Sequence, residues 1–215
     1  MRRAFLIACL LASPLFAQQP PKTMTKMVVY LQGLDIQPDS FIAKPKTLYR
    51  AGIQYCRIEE QPDPALGSHE LIVVNEPDVW TVDLAAKTAT HSRDKGPTLN
   101  CRLPIFPGIL PMIPTEEIQR INDLEFGHEV EFFRSRGATA SSGPVLEKKQ
   151  TIAYMLPVGV STLGLFTYGT PERPLAVAWT RGSKRVVFWY NEYSVMDFDP
   201  SLFAKPGQVQ IEEAK

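Results

Sequence analysis

The chain has 215 residues, of which 44% are hydrophobic and 21% are charged, with 23 basic residues against 23 acidic ones. This balance excludes a disordered acidic or basic tail, and 3 cysteines and 19 prolines do not indicate a dense disulfide scaffold or a collagen-like chain. The long apolar run lies at the N-terminus and is shorter than the roughly 20 residues that span a bilayer. The composition therefore indicates an ordinary globular protein.

Residues 1–17 predict a secretory signal peptide, because two arginines precede an apolar stretch that ends at the small residue Ala17. The alternative is a lipoprotein signal, since the tetrapeptide that ends at Cys9 resembles a lipobox. Otherwise Cys9 is a small apolar residue that is removed with the signal. We expect a periplasmic or secreted protein, or one anchored through Cys9, with no transmembrane segment after signal removal.

Removal of the signal takes away two arginines and no acid, which leaves 21 basic and 23 acidic residues. Nucleic acid is not an expected partner, because phosphate binding needs a basic surface. Cys56 and Cys101 remain, and an oxidising compartment favours a disulfide bond between them. The alternative is two separate buried thiols.

Short β-rich runs, each bounded by Gly, Pro, Asn or Asp, dominate the mature chain. In the run Val79–Leu84, Trp80 and Val82 share one face, and the short turns on both sides require antiparallel neighbours. The predicted strands are Met24–Gln32, Thr47–Arg50, Ile53–Glu59, Glu70–Asn75, Val79–Leu84, Thr88–Arg93, Thr151–Leu156, Val160–Tyr168, Pro174–Thr180 and Arg185–Phe198.

The last of these strands carries large apolar groups on both faces. Strict alternation places Phe188 and Tyr190 on one face, with Trp189 and Tyr193 on the other. A sheet that is open to water on one side would not favour this pattern. We therefore expect another part of the chain to cover the second face.

The middle of the chain supplies that cover. Leu103–Pro114 holds four prolines among large apolar residues and predicts an irregular apolar crossing. Thr115 can begin a helix with two glutamates in its first turn, and a second helical stretch places Phe126, Val130 and Phe133 on one face. The small polar residues 137–143 predict a loop that ends this insert.

The order of strands, helical insert and strands predicts an α+β fold rather than a βαβ repeat. We expect a single domain over residues 18–215 in which a strongly curved antiparallel sheet carries a helical insert, around residues 114–136, on its concave face.

Motifs for nucleotide, zinc-protease and serine-hydrolase chemistry are missing from the sequence. The three histidines have no His or Cys at ligand spacing, so we expect no metal, no cofactor and no catalytic residue. Among the histidines, His91 with Asp94 is the pair that comes nearest to a catalytic arrangement, because an imidazole beside a carboxylate can transfer protons. In an extended strand, however, residues three apart point to opposite faces.

Large apolar side chains on the predicted strands and crossing are candidates for a ligand pocket, although ordinary core packing is the more common reason for such residues, because large aromatics dominate any core. The candidate ligand-binding residues are Trp80, Val82, Phe106, Phe166, Val177, Trp179 and Phe188.

Three segments resemble the LolA-like superfamily of periplasmic lipoprotein carriers and their lipid-binding relatives. They are TLYRAGIQYCRIEE, LIVVNEPDVWTVDLAAKTATH and the closing stretch that begins at Pro174 and contains Asp199, Ser201, Leu202, Phe203 and Pro206. The resemblance implies a curved half-barrel whose concave face, closed by helices, holds acyl chains. The proline-rich crossing departs from that pattern.

The first functional hypothesis is a periplasmic binding or carrier protein, not an enzyme, whose partner is a lipid or another apolar small molecule. The second is an envelope structural or interaction protein, with an envelope protein as partner and a concavity filled by its own helices. The third is a hydrolase that uses His91 and a nearby acid.

Overall fold

The structure, a computed structural model, describes residues 20–33, 36–38, 40, 43–65, 67–94, 114–121 and 123–214. The signal peptide, Cys101, Phe106 and all of the proline-rich crossing except Pro114 lie outside these residues. Among the described residues, no helix has the length and apolar character needed to cross a membrane.

Twelve strands form one curved, unclosed sheet in the order β12-β6-β5-β4-β3-β2-β1-β11-β10-β9-β8-β7. This arrangement confirms the predicted α+β half-barrel. The strands are β1 Thr23–Gly33, β2 Lys46–Ala51, β3 Tyr55–Glu60, β4 Glu70–Asn75, β5 Asp78–Asp83, β6 Thr88–Arg93, β7 Ser141–Leu146, β8 Lys149–Val158, β9 Ser161–Tyr168, β10 Arg173–Arg181, β11 Lys184–Asp197 and β12 Gln210–Glu213.

The predicted meander is confirmed at β4, β5 and β6, which pair antiparallel in chain order. Trp80 and Val82 share a face there, as the alternation predicts, and pack in a cluster with Leu71, Val73 and Ala89. The first half of the sheet joins the second through β1, which pairs with both β2 and β11. The N-terminal strand therefore lies at the centre of the sheet.

Two short helices cover one face of the sheet. They are α1, Thr115–Ile121, and α2, Glu129–Ser135. The prediction that a helical stretch includes Phe126 is wrong in detail, because Phe126 lies in the turn before α2. Gly127 has a φ of 83° in that turn, a left-handed conformation that glycine adopts without steric cost and that ends any helical continuity.

The main hydrophobic core lies between these helices and the concave face. Phe126 and Phe133 are both 0% exposed and pack among side chains of nine strands. Partners on the C-terminal strands include Leu163, Val177 and Trp179. Since a seven-residue helix is marginal in isolation, this apolar contact is what holds the helices in place.

Two strands depart from the sequence-based predictions. β7 begins at Ser141, inside the stretch of small polar residues expected to be a loop, because β8 offers an unpaired edge. β12 pairs parallel with β6, so the sheet is mixed rather than purely antiparallel. Neither strand has the apolar alternation by which the others were recognised.

The predicted facing of Tyr193 is wrong. Val28 pairs with Glu192 and Val29 pairs with Tyr190, so β11 carries one extra residue, Asn191, at this point. Such a bulge shifts the alternation by one residue. Tyr193 consequently packs on the same core as Tyr190, with ring centroids 6.3 Å apart.

The C-terminal motif of the LolA-like resemblance forms a 3₁₀ helix, Pro200–Phe203. The Asp199 carboxylate accepts a hydrogen bond from the Ser201 amide at 2.9 Å and caps this helix. Phe203 is fully buried and packs in a small cluster with Met24 and Ala51. This motif fastens the end of β11 to the first strands.

We expect Phe133→Ala to lower the free energy of unfolding by about 3–5 kcal/mol, because it leaves a cavity between α2 and the sheet. Val160→Ala, at an exposed turn, should change it by less than about 0.5 kcal/mol. Urea denaturation followed by fluorescence measures both values. A loss below about 1 kcal/mol in Phe133→Ala would contradict the packing described.

Candidate functional site

A cavity of about 590 Å³ lies beside α2, between the helix and strands β10 and β11. Its size falls within the usual range of small-ligand pockets, roughly 300–1,000 Å³. The cavity reaches the main core, since Val130 and Tyr193 contact both. It is lined by Gly127, His128, Glu129, Val130, Glu131, Arg134, Ser135, Glu172, Pro174 and Tyr193.

Glu129 supplies a buried carboxyl group at the wall of this cavity. It is 1% exposed, and its Oε1 accepts hydrogen bonds from the Tyr190 hydroxyl at 2.7 Å and the Gly127 amide at 3.0 Å. Burial raises the pKa of Glu129 despite these bonds. Burial and the neighbouring Glu129 also raise the pKa of Tyr190, so its phenol remains protonated and donates.

A second buried carboxyl group, Glu117, fastens α1. It is 2% exposed, and it accepts a hydrogen bond from the Trp179 indole nitrogen at 2.9 Å. Gly159 leaves space for the Glu117 carboxyl group, because a Cβ atom at position 159 would lie 3.1 Å from Oε1 of Glu117. Each helix thus places one glutamate in the apolar core, opposite an aromatic donor of the sheet.

Arg50 of β2 anchors the connection between the helices. Its guanidinium donates to the Glu125 carboxylate at 2.5 Å and to the Phe126 carbonyl at 2.7 Å. Arg50 is itself buried, so these bonds compensate for the loss of hydration of its charge.

Arg134 connects the far end of α2 to the sheet. It donates to the Glu172 carboxylate at 2.6 Å and to the Tyr154 hydroxyl at 2.7 Å. The same carboxylate also accepts a bond from Thr167 at 2.8 Å. Arg134 is 57% exposed, and solvent screening makes an exposed ion pair worth about 0–1 kcal/mol. This attachment of α2 is therefore weak compared with the buried contacts.

The structure divides the predicted ligand-binding residues between two faces of the sheet. Val177, Trp179 and Phe188 lie in the main core under the helices. Trp80 and Val82 belong to the separate cluster of β4–β6 on the opposite face, and Phe166 packs in another cluster with Ala176, Ala178, Val187 and Trp189. Phe106 lies outside the described residues.

Sequence reasoning missed the polar residues of the cavity, Glu129, Arg134, Glu172 and Tyr193. One signal was available, since Glu129 and Phe133 are four residues apart and therefore share a helix face. A glutamate on an apolar stripe indicates a buried, hydrogen-bonded carboxyl group. The position of Tyr193 depends on the β-bulge, which the alternation does not reveal.

His91 does not pair with Asp94 but lies between two other carboxylates. Its Nε2 is 2.9 Å from Asp78 on β5, and its Nδ1 is 2.8 Å from Glu213 on β12. Its ring stacks on Trp80 with centroids 5.4 Å apart. The bond with Asp78, followed by the bond with Glu213, raises the pKa of His91. His91 thus fastens the parallel strand β12 to the sheet.

Cys56 is disulfide-bonded and lies in the main core. Its predicted partner, Cys101, is outside the described residues, so this pairing stays a prediction. Within the described part of the chain, no group of three or more His, Cys, Asp or Glu could hold a metal ion. A second cavity, of about 300 Å³, lies at β4–β6 and includes Val82 in its lining.

No protein-family model and no curated protein matches the chain. Among solved structures, an uncharacterized conserved protein from Thermus thermophilus is similar over 90% of this chain and 91% of its own, with 12% identity and a TM-score of 0.50. A LolA superfamily protein from Nitrosomonas europaea matches 87% of this chain and 91% of its own, with 9% identity and a TM-score of 0.37.

A third solved structure, PNGF-II, matches 90% of this chain but 32% of its own length, with 10% identity and a TM-score of 0.38. At 12% identity, the similarity to the Thermus thermophilus protein is evidence for a shared fold and not for a function.

The raised pKa of His91 makes the attachment of β12 dependent on pH. Protonated His91 bonds both carboxylates, so its contribution is fully present below the ordinary pKa of 6.5 while those carboxylates stay ionised. The contribution is lost as the pH rises through the higher pKa of the folded state. We expect the stability difference between wild type and His91→Gln to shrink from mildly acidic to alkaline pH.

Urea denaturation across this pH range, with hydrogen exchange of the β12 amides, measures the effect. Arg93, whose Nε is 3.6 Å from Asp78, keeps its charge throughout. Glu213→Gln is the control, because it removes one carboxylate and should give a shallower pH dependence than wild type. Parallel pH profiles for wild type and His91→Gln would contradict the expectation.

Proposed function

We propose that the protein is an exported, LolA-like binding or carrier protein for a ligand with an apolar chain, such as a lipid or an acyl chain. The observation that carries the proposal is the cavity beside α2, which adjoins the apolar core of the concave face at Val130 and Tyr193. Burial of each CH₂ group contributes about 0.8 kcal/mol, so the apolar side chains of the core beneath the cavity can bind such a chain without specific polar groups.

The attachment of α2 supports this proposal. The helix has seven residues, and one of its two polar connections to the sheet is the exposed Arg134–Glu172 pair, the other being the buried bond between Glu129 and Tyr190. A ligand chain that enters beside Val130 reaches the core by displacing this short helix, and its own burial has to replace the contacts that Phe133 makes there. Val177, Trp179 and Phe188 would then form the wall of the binding site. Trp80, Val82 and Phe166 face away from it and have no role in this proposal.

The mature protein should bind a fluorescent fatty-acid probe, and native mass spectrometry with lipid extraction should recover a bound amphiphile. Val130→Trp should weaken probe binding by at least about tenfold, about 1.4 kcal/mol, because the indole occupies the cavity. Val160→Trp is the matched control, since Val160 is exposed at the turn between β8 and β9. If wild type binds neither probe nor amphiphile, the proposal is wrong.

An envelope structural or interaction protein is the second candidate. The observation in its favour is that Phe126 and Phe133 already fill the concave face at 0% exposure. Absence of any bound amphiphile, together with a melting temperature that acyl ligands leave unchanged, would favour this candidate. For the hydrolase alternative, the contacts of His91 among the described residues supply two carboxylates and an indole ring but no hydroxyl or thiol group that the imidazole could activate.

We propose that the protein is exported to an oxidising compartment and that Cys56 and Cys101 form a disulfide bond there. The bonded state of Cys56 supports this proposal. Unreduced peptide mapping of the secreted protein should recover one peptide pair that joins Cys56 to Cys101, with the chain cleaved after Ala17. A pair that joins Cys56 to Cys9, or a free Cys56 thiol, would contradict it.

A further inference from the structure

The cavity beside α2 carries more negative than positive groups. Glu131 and Glu172 contribute two carboxylates to its lining, and Arg134 contributes the one guanidinium group, while burial raises the pKa of Glu129 and favours its neutral form. His128 adds no competing cation at neutral pH, because burial and then the charge of Arg50 lower its pKa. The lining is therefore unsuited to an anionic group.

The single arginine of the lining is already engaged. Arg134 donates to Glu172 at 2.6 Å and to Tyr154 at 2.7 Å, so its charge is balanced within the protein. Arg50 is balanced in the same way by Glu125. Arg173 is exposed at the start of β10 and does not line the cavity. An anionic ligand would thus find no free cation in the lining.

Glu131 is in the opposite situation. It lies in the first turn of α2, and within the described part of the chain no cation lies within ion-pair distance of it. Tyr193 lines the same cavity, and burial, followed by the charge of Glu129, raises the pKa of its hydroxyl group, which therefore stays neutral. A carboxylate and an aromatic ring in one cavity can together bind an ammonium group, through charge attraction and a cation–π contact.

We propose that this cavity binds a positively charged amine head group, with Glu131 as its counter-ion and Tyr193 beside it, while the apolar chain of the same ligand enters the core past Val130. This assignment rests on the proposed function and adds the chemical class of the ligand. The cavity discriminates against carboxylate and phosphate heads, because its own carboxylates repel them.

Competition for a neutral fluorescent acyl probe tests the head group at constant chain length. The competitors are dodecylammonium, dodecyl glucoside and dodecanoate, each below its micellar concentration and at neutral pH. Dodecylammonium should displace the probe at a concentration about tenfold lower than dodecanoate, with dodecyl glucoside between them. Equal potency of the charged pair, or a preference for dodecanoate, overturns the head-group assignment and leaves the proposed function intact.

Glu131→Lys tests the counter-ion. Because the variant replaces the unpaired carboxylate with a cation, the preference for dodecylammonium should disappear or reverse, and Glu131→Gln should reduce it about threefold. Glu116→Lys is the matched control, since Glu116 lies in the first turn of the other seven-residue helix and outside the cavity. It should keep the wild-type preference.

Two further outcomes separate the hypotheses. If the preference survives Glu131→Lys in a folded protein, the role of Glu131 as counter-ion is wrong. If the neutral probe itself does not bind to wild type, the proposed function fails and the head-group assignment fails with it.

Discussion

The structure depends on the burial of aromatic side chains from a short helical insert against the concave face of a large sheet. A curved sheet with apolar residues on its inner face cannot leave that face in water, and neither seven-residue helix is stable without a surface to pack on. Phe126 and Phe133 satisfy both requirements at once. The sheet and its cover therefore stabilise each other.

This mutual burial also explains the position of the two buried glutamates. A carboxyl group in an apolar core is costly unless it is hydrogen-bonded, and here each one faces an aromatic donor of the sheet. Glu117 accepts from Trp179, and Glu129 accepts from Tyr190. Apolar packing has no preferred direction, whereas these hydrogen bonds fix the position of each helix on the sheet. The bond of Glu129 also brings a polar group to the wall of the cavity.

The firm and the weak contacts of the fold are separated in space. The middle of the sheet, where β1 pairs with β11, is long and central, whereas α2 and β12 are short and are held in part by exposed ion pairs. Because exposed pairs contribute little, β12 and the Arg134 end of α2 are the parts that can move with the least cost, whereas Phe133 and Glu129 hold the rest of the helix in the core. The cavity lies beside α2, so the proposed binding function agrees with the weak attachment at the Arg134 end of this helix.

Hydrophobic alternation alone determined most of the sheet, because a strand with one buried face must repeat with a period of two. It located the meander β4–β6, the C-terminal strands and the need for a cover. It could not locate β12, whose sequence is mostly polar and whose pairing exists because β6 offers a free edge. It also misplaced Tyr193, because the bulge at Asn191 arises from the register between β1 and β11.

The candidate site was decided almost entirely by tertiary structure. The sequence indicated which residues are apolar, and Val177, Trp179 and Phe188 do lie in the core. The cavity, however, joins side chains from α2, the start of β10 with the residue before it, and the second half of β11, which are distant along the chain. Local sequence patterns report only which residues are buried, whereas the grouping of Glu131, Glu172 and Tyr193 depends on how the helix crosses the sheet.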